Sequence, residues 1–560
     1  MNLSSLLKLS NCAEQPYMRI VGKFPSRLWA VSGLLLTISG SAIAQTYQSQ
    51  VSINGAATIR QTIPTSLYGA NLEWVHNSWG AWNPATNALT PAAATLTQRL
   101  GPTVLRFPGG IFSDFYNWRN GTGTLSTRPT TYVTTGPDSS VHTFGTTEAL
   151  RLASSIGARL MITVNVGTGT PEDAAAWVRF VNARSTVVRD WELGNELYIR
   201  TLSSDASLIT MSPEVYAQKV KAFAAAMKAA DPKIRIGAIG GDETGILPVV
   251  QYPGWNQIVL QQAGSSIDFL SVHNAYSPVM FYDNGESLET VYRAMLSSSH
   301  DVKTSLDSIA SHINQFAPSD ARSRIQIVVS EWGPLFHTSP LSRFVDHPKT
   351  LASALMTASV LMTFIEQPKV EAAQYFKMYD NSFAGLLGLR NGAWQETAPF
   401  YALQLFRRNF GVKLISTTVQ SPAYRTDSAG IVTSRDGNSL LQAVSSLNAK
   451  GTVLYVMLLN KSLTDATSVS LNLSNLKLGA TATVRTLRGT GIDANTGTQL
   501  PTPDKIAWAT QAVASTNPRF YQGAPGEVGI VTQSLSGIKS TFSYTVPAAS
   551  LVALEIPLVR

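Results

Sequence analysis

The sequence has almost no cysteine and no recognisable metal or nucleotide motif. Its single cysteine among 560 residues is Cys12, which excludes a disulfide framework. The seven histidines show no HExxH or other paired spacing, so no metal site is expected. The phosphate-binding patterns GxGxxG and GxxxxGK are missing, as is the serine-hydrolase pattern GxSxG. We therefore expect no cofactor and no serine or thiol chemistry.

Runs of one charge and long apolar runs are also missing. Charged residues make up 14% of the chain and the net charge is +8, but the basic residues are scattered singly. Without a basic stripe interleaved with aromatic residues, a nucleic-acid partner is not expected. No apolar run approaches the roughly 20 residues that a membrane span requires. The composition is that of a globular protein, and its oligomeric state is not predictable from it.

The first 44 residues have the pattern of a signal peptide. Basic residues up to Arg27 precede an apolar run, Leu28–Ile38, and Ala42-Ile43-Ala44 then forms a small-x-small cleavage site. Met18 is an alternative start that would give this leader an ordinary length. We expect cleavage after Ala44 and a secreted or periplasmic protein.

Short apolar runs alternate with amphipathic ones between residues 66 and 409, which predicts βα units around a parallel sheet. There are about eight such runs, the number that a (β/α)8 barrel needs. The predicted strands are Leu67–Leu72, Thr103–Phe107, Leu160–Val166, Val188–Leu193, Ile234–Ile239, Ile267–His273, Ile325–Ser330 and Val370–Met378. Residues 410–560 alternate strand-like stretches with turns, which predicts an antiparallel β-sandwich. Residues 45–65 are predicted to add a strand to it.

Two of the predicted barrel strands end in carboxylates, where a barrel builds its active site. Glu196 follows the fourth strand and Glu331 ends the seventh. Glycosidic bond cleavage uses such a pair, one carboxyl to protonate the leaving oxygen and the other to attack or to activate water. Structural ion pairs are the alternative interpretation of the two glutamates. Glu192 is an alternative acid, although strand alternation directs it away from the neighbours of Glu196.

Other polar and aromatic residues at strand ends complete the predicted substrate site. Arg106 could hold the nucleophile ionised, and Glu73 could accept hydrogen bonds from sugar hydroxyls. The candidates are Glu73, Trp74, Arg106, Asn195, His273, Tyr276 and Gln374. Trp74 is a candidate for stacking on a sugar ring, and Tyr276 or His273 for orienting Glu331.

Several of these motifs together resemble the α-L-arabinofuranosidases of glycoside hydrolase family 51. The run VNVGTGTPEDA at 164–174 is the most specific, and LRFPGG at 105–110 and LGNE at 193–196 follow in the family's order. The resemblance implies a retaining mechanism with Glu196 as acid/base and Glu331 as nucleophile. It also implies that Glu73, Arg106 and Asn195 hold the sugar or the nucleophile.

The chain departs from the family pattern at the sugar-contacting face. Ile111 stands where the family has Asn after Pro-Gly-Gly, and Ser330 stands where it has an acidic residue. His273 and Tyr276 are three residues apart instead of two, and Gln374 aligns with the family's strand-eight Gln only after a shift. These differences indicate a divergent member.

The sequence therefore predicts an exo-acting α-L-arabinofuranosidase that releases terminal arabinofuranose from plant polysaccharides. The same mechanism acting on another glycoside remains open, as in a β-xylosidase, another furanosidase, or an endo-glucanase or xylanase. A catalytically inactive carbohydrate-binding protein is the third hypothesis, and retention of both glutamates argues against it.

Overall fold

The computed structural model describes residues 46–134, 138–199, 209–242, 252–337, 342–380, 384–498, 523–524 and 526–559. The predicted leader, residues 1–44, lies outside the described residues. Within the described part of the chain, no helix has the length and apolar character needed to cross a membrane.

The first large unit is a closed barrel of eight parallel strands, as the sequence predicts. Barrel strands 1 to 8 are Gly69–Asn71, Val104–Phe107, Arg159–Val164, Val188–Leu193, Arg235–Ile239, Phe269–Val272, Gln326–Leu335 and Val370–Tyr375. Each pairs with its neighbour in chain order, strand 8 pairs with strand 1, and strand 6 pairs with strand 7, so the sheet closes. A short segment, Ala275–Pro278, adds a further parallel pairing beside strand 7.

Helices surround the barrel, and several of them begin at a side-chain cap. They are Pro91–Leu100, Thr146–Ile156, Pro171–Asn182, Pro213–Ala230, Trp255–Ala263, Leu288–Ser297, Ser299–Phe316, Leu351–Glu366 and Ala398–Asn409. The side chains of Thr170 and Ser212 each accept a hydrogen bond from the third helical residue, and a proline follows each cap, where its missing N–H costs nothing. Shorter 3-10 segments are Thr65–Leu67, Ile111–Phe115, Trp118–Gly121, Leu125–Thr127, Gly264–Ser266 and His347–Lys349.

The barrel interior changes from apolar to polar along its axis. One end is filled by a compact apolar cluster of Val104, Met161, Phe269, Val328 and Ala372. Two residues further along their strands, Val104 is followed by Arg106, Phe269 by Ser271, and Val328 by Ser330. Alternate residues of a strand share one face, so these polar side chains also point inward. The interior therefore supplies a buried polar floor at the end where barrel active sites form.

The second large unit is a nine-stranded sheet built from both ends of the chain. Its strands, in hydrogen-bonded order, are Val528–Ser536, Thr481–Gly489, Ser550–Pro557, Val453–Asn460, Leu441–Leu447, Lys413–Gln420, Tyr47–Arg60, Thr467–Ser474 and Thr541–Val546. Tyr47–Arg60 pairs antiparallel with Lys413–Gln420 and parallel with Thr467–Ser474. The edge strand Thr541–Val546 contacts Ser550–Pro557, so the sheet folds over in two layers around its own apolar core.

This sheet packs against the barrel through the apolar helix Leu351–Glu366. That helix contacts three of the sheet strands, and Ser359 Oγ donates to Gln442 Oε1 at 2.6 Å. Four short antiparallel hairpins complete the described strands: Trp82–Asn83 with Ala88–Leu89, Thr130–Tyr132 with Ser139–Val141, Leu387–Arg390 with Ala393–Glu396, and Ala423–Thr426 with Arg435–Ser439.

Candidate active site

Two carboxylates, Glu196 and Glu331, meet at the polar end of the barrel. Glu331 lies within barrel strand 7, and Glu196 lies in the turn that follows strand 4. One oxygen of each carboxylate and Nδ1 of His273 all lie within 4.8 Å of one another. Retaining glycosidases separate their carboxyl groups by about 5–5.5 Å, and inverting ones by about 6.5–9.5 Å. One oxygen of each carboxylate lies within 4.8 Å of the other, an approach that fits the shorter, retaining arrangement.

Glu331 is buried and held as an anion. Its Oε1 accepts hydrogen bonds from Arg106 Nη1 at 2.6 Å and from the Gly110 N–H at 3.2 Å, and its Oε2 accepts one from Tyr276 Oη at 2.8 Å. Burial raises the pKa of Glu331, but the charges of His273 and Arg106 and the Tyr276 hydroxyl outweigh it and hold the pKa at about 2. Glu331 is thus ionised at neutral pH, as an attacking carboxylate must be.

Glu196 sits on a tight turn that projects its side chain into the same space. Gly194 has φ of 82° and Glu196 has φ of 47°, a left-handed conformation that non-glycine residues rarely adopt. The N–H of Asn195 donates to Asp114 Oδ2 at 2.7 Å and anchors the turn. The Glu196 side chain is 18% exposed and that of Glu331 6%. Of the two carboxylates, Glu196 is therefore the more accessible from outside the barrel.

Arg106 connects Glu331 to the other polar side chains of the barrel interior. It is fully buried and donates to Glu192 Oε2 at 2.6 Å, to Asn71 Oδ1 at 2.9 Å and to Asn195 Oδ1 at 2.8 Å, in addition to Glu331. Burial raises the pKa of Glu192, but the charge of Arg106 and nearby hydroxyl groups bring it below its usual range. The guanidinium therefore holds two ionised carboxylates in fixed positions.

His273 lies between the two carboxylates. Its Nδ1 is 2.8 Å from Glu196 Oε1 and 3.7 Å from Glu331 Oε2, and its Nε2 is 2.9 Å from Ser330 Oγ. Burial lowers the pKa of His273, but the two carboxylates outweigh that effect and raise it.

The Glu73 carboxylate is held by two buried side chains, Lys377 and Trp79. Its Oε2 accepts hydrogen bonds from Lys377 Nζ at 2.7 Å and from Trp79 Nε1. The Lys377 ammonium also lies 3.9 Å from the centre of the Trp79 ring, a cation–π geometry. Gly110 has φ of 62°, and a Cβ there would lie 3.2 Å from Glu73 Oε1. A glycine at this position thus allows Glu73 to approach the backbone that contacts Glu331.

The structure corrects one of the predicted substrate contacts, Trp74. Trp74 is 1% exposed and stacks on His142, with ring centres 4.1 Å apart. The Trp74 ring is part of the main apolar core. It points away from the side chain of Glu73, its neighbour in the chain. Gln374 is completely buried on barrel strand 8, and its amide makes no hydrogen bond to any described residue. The Trp74 ring does not face the two glutamates, whereas Glu73, Arg106, Asn195, His273 and Tyr276 are all brought to them. Gln374 follows the inward-facing Ala372 by two residues, so its amide also points into the barrel, and it stays a predicted sugar contact.

The sequence analysis missed several residues that build this site. Asn71, Ser271 and Lys377 were not singled out, and Glu192 was considered only as an alternative acid. Alternation within strand 4, where Glu192 lies between apolar Trp191 and Leu193, was a usable signal for an inward-facing charge. No sequence signal points to Lys377, because its partner Glu73 lies 304 positions away in the chain.

Glu196, His273 and Glu331 are also a group whose geometry could hold a metal ion. Their atoms already have hydrogen-bond partners, since Nδ1 of His273 faces Glu196 and Glu331 Oε2 accepts from Tyr276. These hydrogen bonds alone account for the positions of the three side chains.

Comparison with known proteins agrees with this geometry. The family model "Alpha-L-arabinofuranosidase 1 domain" matches residues 96–291, and "Alpha-L-arabinofuranosidase C-terminal domain" matches residues 330–522. An intracellular exo-α-(1→5)-L-arabinofuranosidase of Bifidobacterium longum is 24% identical over 451 residues, covering 71% of this chain and 77% of that protein.

Solved structures show the same fold. The arabinose complex of an α-L-arabinofuranosidase from Thermotoga maritima superimposes with a TM-score of 0.75 at 22% identity, covering 91% of this chain and 100% of the other. The family 51 enzyme of Thermotoga petrophila gives the same TM-score and coverage at 23% identity. Two family models together span more than half of the chain, and both describe the same kind of glycoside hydrolase. The chain therefore belongs to the α-L-arabinofuranosidases and, at 24% identity to the relative above, is a divergent member.

Proposed function

We propose that this protein is a retaining, exo-acting α-L-arabinofuranosidase that releases terminal arabinofuranose from plant polysaccharides. The observation that carries the proposal is the pair of carboxylates within 4.8 Å, of which Glu331 is fixed as an anion by Arg106 and Tyr276. The proposed sugar follows the names of the matching family models and relatives.

The two glutamates have different environments and therefore different roles. Glu331, with its pKa near 2, attacks the anomeric carbon and forms a glycosyl-enzyme ester. Glu196 protonates the leaving oxygen in the same step and then takes a proton from the water that hydrolyses the ester. Tyr276 and Arg106 keep the nucleophile ionised and aligned, and Asn195 is placed by its bond to Arg106.

The first test is release of p-nitrophenol from a panel of aryl glycosides, with the α-L-arabinofuranoside measured first. We expect turnover by the wild type, loss of it in Glu331→Ala, and a fall of about 100- to 10,000-fold in Glu196→Ala. Glu214→Gln, an exposed glutamate on the helix Pro213–Ala230, is the matched control and should retain full activity. Turnover that persists in Glu331→Ala would exclude the assigned nucleophile.

The stereochemistry of the first product tests the mechanism separately from the sugar. Proton NMR of a fresh reaction should show the α-anomer of arabinofuranose before mutarotation, because two displacements restore the starting configuration. Initial release of the β-anomer would mean a single displacement and would exclude Glu331 as a covalent nucleophile.

Another glycoside is the second candidate substrate. Ile111 is buried next to Gly110, whose N–H contacts Glu331, and Glu73 is engaged by Lys377; both features change the surface that meets the sugar. Activity on a β-xyloside, or oligomer products with a rapid fall in the viscosity of a polymer, would support this candidate. Turnover confined to the α-L-arabinofuranoside would exclude it.

We also propose that the protein is exported. The support is the order of basic residues, the apolar run Leu28–Ile38 and Ala42-Ile43-Ala44 in the sequence. N-terminal sequencing of the protein from the producing cells should begin at Gln45. A mature protein that retains the leader would contradict the proposal.

A further inference from the structure

A chain of hydroxyl groups links His273 to the barrel interior. Ser330 Oγ lies 2.9 Å from His273 Nε2 and 2.6 Å from Ser271 Oγ, and Ser271 Oγ in turn contacts Glu192 Oε1. All of these side chains are at most 5% exposed. Buried hydrogen-bonding groups need partners, so the direction of each bond is restricted.

The charge of Glu192 sets that direction. Glu192 is ionised beside Arg106 and can only accept, so the single proton of Ser271 must point to it. Ser271 is placed as the donor toward both Glu192 and Ser330, but it has a single proton, and the anion takes it. The 2.6 Å contact between the two serines is then a hydrogen bond only if Ser330 donates its own single proton to Ser271. Ser330 can therefore only accept from His273, and Nε2 of His273 must carry a proton.

The other ring nitrogen faces the catalytic acid. With Nε2 protonated, neutral His273 has its lone pair on Nδ1, which is 2.8 Å from Glu196 Oε1. Two lone pairs at this distance repel each other unless one proton lies between them. Glu331 does not supply this proton, because it already accepts from Arg106, Gly110 and Tyr276.

We infer that Glu196 and His273 share the proton used in acid catalysis, and that the Ser271–Ser330 hydroxyl chain fixes the tautomer of His273 that makes this sharing possible. This inference rests on the proposed role of Glu196 as acid/base. Ser330 and Ser271 are positioning residues in this scheme, since they act through His273.

Protons balance in both steps of the reaction. Before glycosylation the pair holds one proton, either as Glu196–COOH with neutral His273 or as the carboxylate with an imidazolium. That proton goes to the leaving oxygen, leaving the Glu196 carboxylate and a neutral His273 that keeps its Nε2–H. Water then gives one proton to Glu196 as its oxygen bonds to the anomeric carbon. The ester bond from that carbon to Glu331 breaks, which releases the Glu331 carboxylate, and the shared proton is restored.

The charged groups around His273 favour the protonated form of the Glu196–His273 pair, which carries no net charge. Glu196 approaches from the turn after strand 4 and Glu331 from strand 7, while Arg106 on strand 2 opposes them. The hydroxyl of Tyr276, which follows strand 6, donates to Glu331. Since the two carboxylates outweigh Arg106, the shared proton should remain bound to a higher pH than on an isolated imidazole. The alkaline limb of kcat/KM then reports the pair as a unit.

The direct test is NMR of the full-length protein labelled with 15N in histidine. The His273 ring signals are assigned among seven histidines by their loss in His273→Asn. We expect neutral His273, at the alkaline end of the titration, to carry its proton on Nε2 in the wild type. A proton on Nδ1 there would overturn the inference. This measurement needs no substrate, so it remains decisive even if no tested glycoside is hydrolysed.

The kinetic test compares Ser330→Ala with Ser277→Ala. Ser277 is a buried serine whose hydroxyl has no partner among the described residues, so its removal controls for loss of a buried hydroxyl. Without the Ser330 acceptor the imidazolium loses one hydrogen bond, and the alkaline limb of kcat/KM should move down by about one pH unit. The same limb should be unchanged in Ser277→Ala, and an unshifted limb in Ser330→Ala would contradict the hydroxyl chain.

Discussion

The ionised state of Glu331 makes a measurable contribution to acid stability, which Glu331→Gln should remove. The pKa of Glu331 is about 2 in the folded protein, against 4.5 as the ordinary value for glutamate. A group with a depressed folded-state pKa stabilises the protein above its unfolded-state pKa. That stability is lost as the pH falls toward the folded-state value. The pH window is therefore about 5 to 2, and stability falls on acidification.

The two pKa values give the size of the effect. Proton linkage gives a contribution of about 3 kcal/mol at pH 6 and about 1 kcal/mol at pH 3. Acidification across this range should thus cost the wild type about 2 kcal/mol more than it costs Glu331→Gln. Glutamine keeps the shape of the side chain and can still accept from Arg106, so the main change is the loss of the charge; that loss also removes the main factor that raises the pKa of His273.

Urea unfolding followed by tryptophan fluorescence at pH 6, 4.5 and 3 provides the measurement. Remote carboxyl groups with a lowered pKa, such as Asp268 beside Lys228, titrate in both proteins and cancel in the difference. If the free energy of unfolding of Glu331→Gln falls between pH 6 and pH 3 by as much as that of the wild type, the buried anion does not have the environment described here.

Three further substitutions test other parts of the site. Arg106→Lys keeps the charge but cannot bridge Glu192 and the nucleophile together, so kcat should fall about 100-fold; a loss below threefold would contradict its bridging role. Trp74→Phe should lower stability by about 1 kcal/mol with KM unchanged in steady-state kinetics, and a raised KM would restore Trp74 as a sugar contact. Lys377→Met leaves Glu73 buried without its cation and should cost about 3–5 kcal/mol in urea unfolding. Adding Glu73→Gln to Lys377→Met should recover part of that loss, and no recovery would mean that the two residues are not coupled.

The strand order and both glutamates could be predicted because they depend on local patterns. Each barrel strand is a short apolar run, and Glu196 and Glu331 directly follow or end such runs. Parallel strands bring their carboxyl ends to one side of a barrel, so two distant glutamates are predicted to meet there. The structure places them as this argument requires.

The errors arose where the direction of a side chain decided the outcome. Trp74 and Glu73 are neighbours, yet one packs on His142 in the core and the other enters the pocket. Trp79 donates a hydrogen bond to Glu73. The chain brings the two side chains together through four successive residues with positive φ, His76 to Trp79. His76 and Asn77 are residue types enriched in this conformation, but Ser78 and Trp79 are not, so the sequence does not predict the run.

By itself, the sequence determined the eight-stranded barrel, the two-layer sheet domain and the strand-end positions of Glu196 and Glu331, because periodicity and strand-end position are properties of consecutive residues. Only the tertiary structure decided which charges meet inside the barrel. The contacts of Lys377 with Glu73 and of Arg106 with Glu192 join side chains far apart in the chain. Their strength comes from burial, which no local pattern specifies. The inferred proton position on His273 likewise depends on a buried contact, because it follows from the charge of Glu192 beside Arg106.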